Sequence, residues 1–208
     1  MSRPGAVRAG LAALAVLVLL AGAAPAAAER PAEAVEAARA YFTDVELVDQ
    51  DGETRRLYSD LMAGKVVVVS SMFTTCAAVC PLLGQKMQRL QEAAGERLGR
   101  DVHLLSITVD PETDTPARLA AYAERFAARD GWYFLTGSRA NVELALAKLG
   151  FAVEDKDAHS TIVLMGNEKT GLWKKTNGLA AAGELVDLFE SVAKDAGAPP
   201  PPAVGKGR

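Results

Sequence analysis

Cys76 and Cys80 are the only cysteines in the chain, and three residues separate them in the run Phe73-Thr74-Thr75-Cys76-Ala77-Ala78-Val79-Cys80-Pro81. Two thiols at this spacing can chelate a soft metal, close into a disulfide, or exchange electrons with the thiols of a partner. Three intervening residues close a longer ring than the two of a redox Cys-x-x-Cys pair. That leaves room for an ion between the sulfurs while still permitting a disulfide. Pro81 lacks the N–H that the first turn of a helix leaves unused and disfavours helical dihedrals in the residue before it. A helix is therefore expected to start near Pro81, with both cysteines on the loop that feeds it. Unpaired N–H groups and the positive end of the helix dipole favour the thiolate there, the form that metal binding and exchange both require.

A third donor has to come from elsewhere, and the chain has two histidines. His159 lies in Asp155-Lys156-Asp157-Ala158-His159-Ser160, ahead of the apolar run Thr161 to Met165. Two thiolates and one imidazole suit three-coordinate Cu(I) and can also hold Cu(II). A structural zinc site would want a fourth ligand, and there is no further cysteine. The alternative for His159 is a solvated loop histidine. His103, early in a strand, is expected to face solvent. Met72 carries a thioether that suits Cu(I), but its place in an apolar strand reads as core packing. Asp110 and Asp114 read as turn and helix-cap chemistry, with Asp110 at the rim of the cysteine pocket, and Trp132 as a packing anchor.

The elements that must position these groups alternate along the chain. Ala32 to Phe42 is Ala/Glu-rich and helical, and Val45 to Leu57 is a hairpin about Asp51-Gly52. Val66 to Met72 opens with four consecutive β-branched residues and reads as a buried strand. Leu83, Met87, Leu90, Ala94 and Leu98 form an apolar stripe at helical period that Gly99 stops. Val102 to Val109 is a strand. A helix capped by Asp114 or Thr115, with Pro116 at its first position, runs to about Ala128. Trp132 to Leu135 is a strand, Arg139 to Leu149 a helix, Thr161–Met165 and Gly171–Lys175 a hairpin, and Ala182 to Asp195 a closing amphipathic helix. This order predicts an α/β thioredoxin-like layer sandwich, a central mixed sheet flanked by helices with an added N-terminal β-hairpin. In such a sheet the loop carrying His159 approaches the loop carrying the cysteines.

The 208 residues are half apolar with a net charge of −3 and no long charge block, so one domain is expected and nucleic acid is not a partner. Arg3 and Arg8, the uncharged run Gly10 to Ala28 and its Ala26-Ala27-Ala28 end have the layout of a secretory signal peptide. The competing reading is an N-terminal membrane anchor, since the uncharged run approaches the roughly 20 residues that span a bilayer. The expected organisation is a leader over 1–28, a domain over 29–197, and a Pro-rich disordered tail over 198–208. The product is an exported, mildly acidic protein, periplasmic or held at the inner membrane by its leader. An oxidising compartment favours a disulfide between Cys76 and Cys80 unless a reductant or a metal keeps them apart.

Several separated motifs together resemble the SCO/SenC family over roughly Val45 to Val192. Cys76 to Pro81 resembles its CxxxCP copper motif, and Ser106 to Pro116 its S-x-x-x-DPxxDTP stretch. Gly131 to Gly137 resembles its W-x-x-LTG run, and His159-Ser160 its ligand histidine and following small residue. Family members usually carry an acid just before that histidine, where this chain has Ala158. The resemblance implies copper bound through Cys76, Cys80 and His159 by a metallochaperone serving the dinuclear copper centre of cytochrome c oxidase. Its partner would be the copper subunit of that oxidase or another periplasmic copper acceptor. The alternative is a thiol-disulfide oxidoreductase that uses Cys76 and Cys80 as a redox pair on a partner's cysteines. An ordinary thioredoxin is disfavoured, because no proline lies between Pro116 and Pro199 to supply a cis-proline beside the pair. A peroxidase is disfavoured for want of a distant resolving cysteine.

Overall fold

The computed structural model describes residues 30–152 and 161–197. The leader, His159 and the Pro-rich tail lie outside the described residues. Among the described residues no helix is long and apolar enough to cross a membrane.

The chain runs α1 (Ala32–Phe42), β1 (Glu46–Val48), β2 (Thr54–Arg56), a π-helical turn (Leu57–Met62), β3 (Val66–Met72) and α2 (Cys80–Ala94). A 3-10 turn (Gly95–Arg97) leads to β4 (Val102–Thr108), α3 (Pro116–Glu124), β5 (Trp132–Leu135) and α4 (Arg139–Leu149). The hairpin β6 (Ile162–Asn167) and β7 (Leu172–Asn177) and the helix α5 (Ala182–Ala193) complete it. β1 and β2 pair alone, and the other strands form one sheet in the order β5-β4-β3-β6-β7. β3 and β4, and β4 and β5, are parallel, while β6 runs antiparallel to β3 and to β7. The mixed sheet with a separate N-terminal hairpin is as the sequence predicts.

β3 occupies the centre of the sheet because all seven of its residues can be buried. Successive side chains alternate between faces. Val66, Val68 and Met72 join the core formed with α2, α3 and α5, and Val67 and Val69 the core formed with α1, α4 and the π-helical turn. The cysteines belong to the first of these cores.

Four local expectations are corrected. α2 starts near Pro81 as expected, but Cys80 is its first residue rather than part of the loop: Val79 already has helical dihedrals (φ −94°, ψ −28°), and Pro81 sits second in the first turn, where its missing N–H costs nothing. The α-helical part of α2 ends at Ala94 although the apolar stripe runs on to Leu98, because Gly95 adopts φ 57° and the chain tightens into the 3-10 turn. α3 stops at Glu124, and Ala127 takes φ 47°, so the segment to Ala128 is a turn. His103 does not face solvent. It pairs with Val67 in the sheet interior, is 4% exposed, and its Nδ1 lies 2.8 Å from the Leu61 carbonyl of the π-helical turn that covers that end of β4.

One glycine sets the approach of α2 to the end of α3. A Cβ at Gly84 would lie 2.3 Å from the Phe126 ring, so the buried aromatic can reach α2 only where the side chain is absent.

Candidate metal centre

The site is built where β3 ends. A strand in the middle of a parallel pair delivers its following loop to the carboxyl edge of the sheet, the usual place for function in such folds. Here that loop is Phe73 to Val79, and α2 starts at its far end. The Cys76 N–H donates to the Phe73 carbonyl (3.2 Å), which turns the chain and brings Cys76 back toward the helix. The Cys80 N–H then donates to Cys76 Sγ at 3.4 Å. Both cysteines are buried, 8% and 1% exposed, and neither is in a disulfide.

The two thiols are electrostatically unequal. Burial pushes the Cys76 thiol up, but hydrogen bonds from the Cys80 thiol and from the N–H groups of Cys80, Ala78 and Val79 outweigh it, and the net shift is down. Cys80 is pushed up to about 12, first by burial, then by its hydrogen bond to Cys76, with the charges of Cys76 and Asp114 adding to it. The thiolate is thus favoured at Cys76 relative to an ordinary thiol and disfavoured at Cys80.

Asp114 holds the loop. It is fully buried, accepts from the Thr74 N–H (3.1 Å) and the Thr74 hydroxyl (2.5 Å), and accepts from the Thr108 hydroxyl at 2.6 Å. Thr115, not Asp114, caps α3, through its hydroxyl to the Arg118 N–H. The carboxyl group thus ties the residue two before Cys76 to the end of β4. The sequence reading missed this role, because Asp-Thr-Pro already accounted for Asp114 as a cap. No local pattern announces it, since Thr74 lies in the loop after β3 with no acid near it in sequence and meets Asp114 only in the fold.

Around Cys80 a small enclosed cavity is lined by Met72, Met87, Tyr122, Trp132 and Phe134 among others. Met72 is buried in the same apolar core as the cysteines, as core packing requires. Trp132 is the packing anchor expected, stacked on Phe134 and donating from Nε1 to the Ser106 hydroxyl at 3.0 Å. Asp110 is buried at the end of β4, where its N–H donates to the Thr108 hydroxyl and its carbonyl accepts from Thr113 and Asp114. His103, fixed at the opposite end of β4 against Leu61 and Gly99, is too far along the strand to join the cysteines. Among the described residues no third histidine, cysteine or carboxylate forms a cluster with the two sulfurs.

The SCO1/SenC family model matches residues 33–194. The chain belongs to the SCO1/SenC family. A SCO1 homologue of Bacillus subtilis is 36% identical over 98 residues, 46% of this chain and 49% of that protein. The chain thus spans about half the length of that curated relative. BsSco, described as a member of the Sco family of cytochrome c oxidase assembly proteins in which a disulfide switch was identified, superposes with a TM-score of 0.58. It is 27% identical, over 72% of this chain and 91% of that one. ScoI of Bradyrhizobium japonicum, solved with copper bound, gives a TM-score of 0.58 at 22% identity, over 71% and 96% of the two chains, and shares the fold. Sco proteins of this fold are thus linked to copper, to cytochrome c oxidase assembly and to a thiol switch.

Proposed function

We propose that this Sco protein is an exported copper carrier that holds the ion on Cys76, Cys80 and His159 and passes it to an acceptor, the dinuclear copper centre of cytochrome c oxidase being the acceptor class. The observation that carries the reading is the sulfur pair itself. Two thiols meet at the start of α2, one already biased toward the anion, inside an apolar core with no carboxylate cluster around them among the described residues. Soft sulfur donors in a water-poor setting select Cu(I) over hard divalent ions. Two sulfurs leave the ion short of the three-coordinate set, and His159, beyond the described residues, is the proposed third donor. The leader over 1–28 supports export, whether it is cleaved or kept as an anchor.

Anaerobic Cu(I) titration of the reduced protein tests this. One equivalent should bind, Cys76→Ala or Cys80→Ala should abolish tight uptake, and His159→Ala should weaken it by an order of magnitude or more while circular dichroism stays unchanged. Unchanged affinity and stoichiometry in His159→Ala would remove the histidine from the ligand set.

A second reading is favoured by the split acidity of the pair. A thiol lowered beside one raised is the arrangement of a dithiol that attacks a disulfide with one sulfur and resolves with the other. Reduction of a partner's cysteines would need Cys76 and Cys80 and tolerate His159→Ala, so the same three variants separate the readings.

A further inference from the structure

Beside the cysteine loop a groove runs between α2 and α3, and its charge is of one sign. Its first stretch, about 240 Å³, is lined by Thr74, Arg118, Tyr122 and Arg125. A second stretch, about 390 Å³, continues past Pro81 and Arg125 to Arg89. Arg118, Tyr122 and Arg125 are spaced four and three residues apart and therefore share one side of α3 and its C-terminal cap. No Asp or Glu is among the described lining residues. Arg89 is paired with Glu92, but Arg118 and Arg125 make no ion pair among the described residues. In a chain of net charge −3 this is a local reversal of sign.

Two further features mark the groove as built for a ligand. The Arg125 guanidinium lies 5.1 Å over the Tyr122 ring, which holds a flexible cation in place at the groove wall. Tyr122 itself is 4% exposed, and its buried hydroxyl has no hydrogen-bond partner among the described residues. A buried polar atom left unpaired in a native fold calls for a partner that the described residues do not supply. Tyr122 also lines the cavity that holds Cys80, so it is the wall between groove and sulfur pair.

We propose that this groove docks an acidic, extended segment of the protein that exchanges copper or electrons with Cys76 and Cys80. What is exchanged rests on the function proposed above; the docking itself does not. Seven residues of helix at about 1.5 Å rise place Arg118 and Arg125 about 10 Å apart along the axis. An extended chain of the polyproline II type advances about 3.1 Å per residue with three residues per turn, so carboxylates at every third position lie on one side about 9 Å apart and meet both guanidinium forks. An anionic lipid surface fits less well, because the arginines line a cleft and the chain as a whole is negative.

The test uses a short blocked peptide with glutamate at every third residue and its glutamine counterpart, titrated into the reduced isotope-labelled protein at low salt. Amide shifts at Thr74, Arg118, Tyr122 and Arg125 are expected from the glutamate peptide alone. Arg118→Glu with Arg125→Glu, both on exposed positions, should weaken binding about tenfold or more. Raising ionic strength from about 0.01 M to about 0.15 M, which shortens the screening length from about 30 Å to about 8 Å, should weaken it several-fold. Equal binding of the glutamine peptide, or shifts confined to another face, would overturn the proposal. So would binding to phosphatidylglycerol-containing vesicles without binding to the peptide. Cys76→Ala with Cys80→Ala should still bind the peptide, and the arginine reversal should still take up Cu(I). Peptide binding without Cu(I) uptake in the parent sinks the copper reading alone, and uptake without peptide binding sinks the groove alone.

Discussion

Removing the Asp114 carboxyl group should release the cysteine loop, and the cost can be worked from its partners. Three donors converge on this fully buried side chain: the Thr74 N–H, the Thr74 hydroxyl and the Thr108 hydroxyl. Each buried donor left without an acceptor costs about 1–3 kcal/mol. Thr74 is half-buried, so water can replace part of what its two donors lose, whereas the Thr108 hydroxyl is buried, so Asp114→Ala should cost about 2–4 kcal/mol. That is a large share of the roughly 5–15 kcal/mol by which such domains are stable. Asp114→Asn keeps one carbonyl-type acceptor for Thr74 and offers an N–H₂ group to Thr108, whose hydroxyl can accept, so about 1–2 kcal/mol is expected. Urea unfolding of the reduced protein measures both values, and iodoacetamide labelling reports whether Cys76 becomes more accessible in Asp114→Ala. A loss under about 1 kcal/mol for alanine, or asparagine as damaging as alanine, would refute the account of Asp114 as the tether of the loop.

The remaining expectations concern single groups. In the parent protein Cys76 should be alkylated about tenfold or more faster than Cys80, because only the thiolate reacts and Cys80 is both buried and pushed up to about 12; peptide mapping that finds equal labelling would contradict the split. Burial first, then the charges of Lys65 and Arg55, hold His103 below its ordinary value of 6.5, against the pull of the Leu61 and Gly99 carbonyls. The unfolded chain therefore takes up a proton as pH falls through about 6.5 while the folded one does not, and stability should decline across that window by at most about 1.4 kcal/mol per pH unit, then level off below the folded value. His103→Phe should lose this component, so parent and variant with the same pH slope between about 7 and 5.5 in urea titrations would show that the imidazole is not the group responsible.

The elements that place the site were legible one at a time, because each rests on local chemistry. The β-branched run gave β3, Thr115-Pro116 gave the start of α3, and Asp51-Gly52 gave the hairpin of β1 and β2. The Cys76–Cys80 spacing marked the candidate centre, since the identities and separation of two thiols already limit their chemistry. Tertiary structure decided what depends on partners distant in the chain. Asp114 became the tether of Thr74 because the end of β4 and the loop after β3 arrive at the same sheet edge, 40 residues apart in sequence. His103 was drawn inside because a π-helical turn that no periodicity announces covers the start of β4 and presents the Leu61 carbonyl to it. The inequality of the two sulfurs likewise came from the fold, since it depends on which of them receives N–H groups at the start of α2 and which is sealed against the core. Identity along a chain fixes which groups can react, while burial and hydrogen bonds from remote segments fix their charge and their freedom to move.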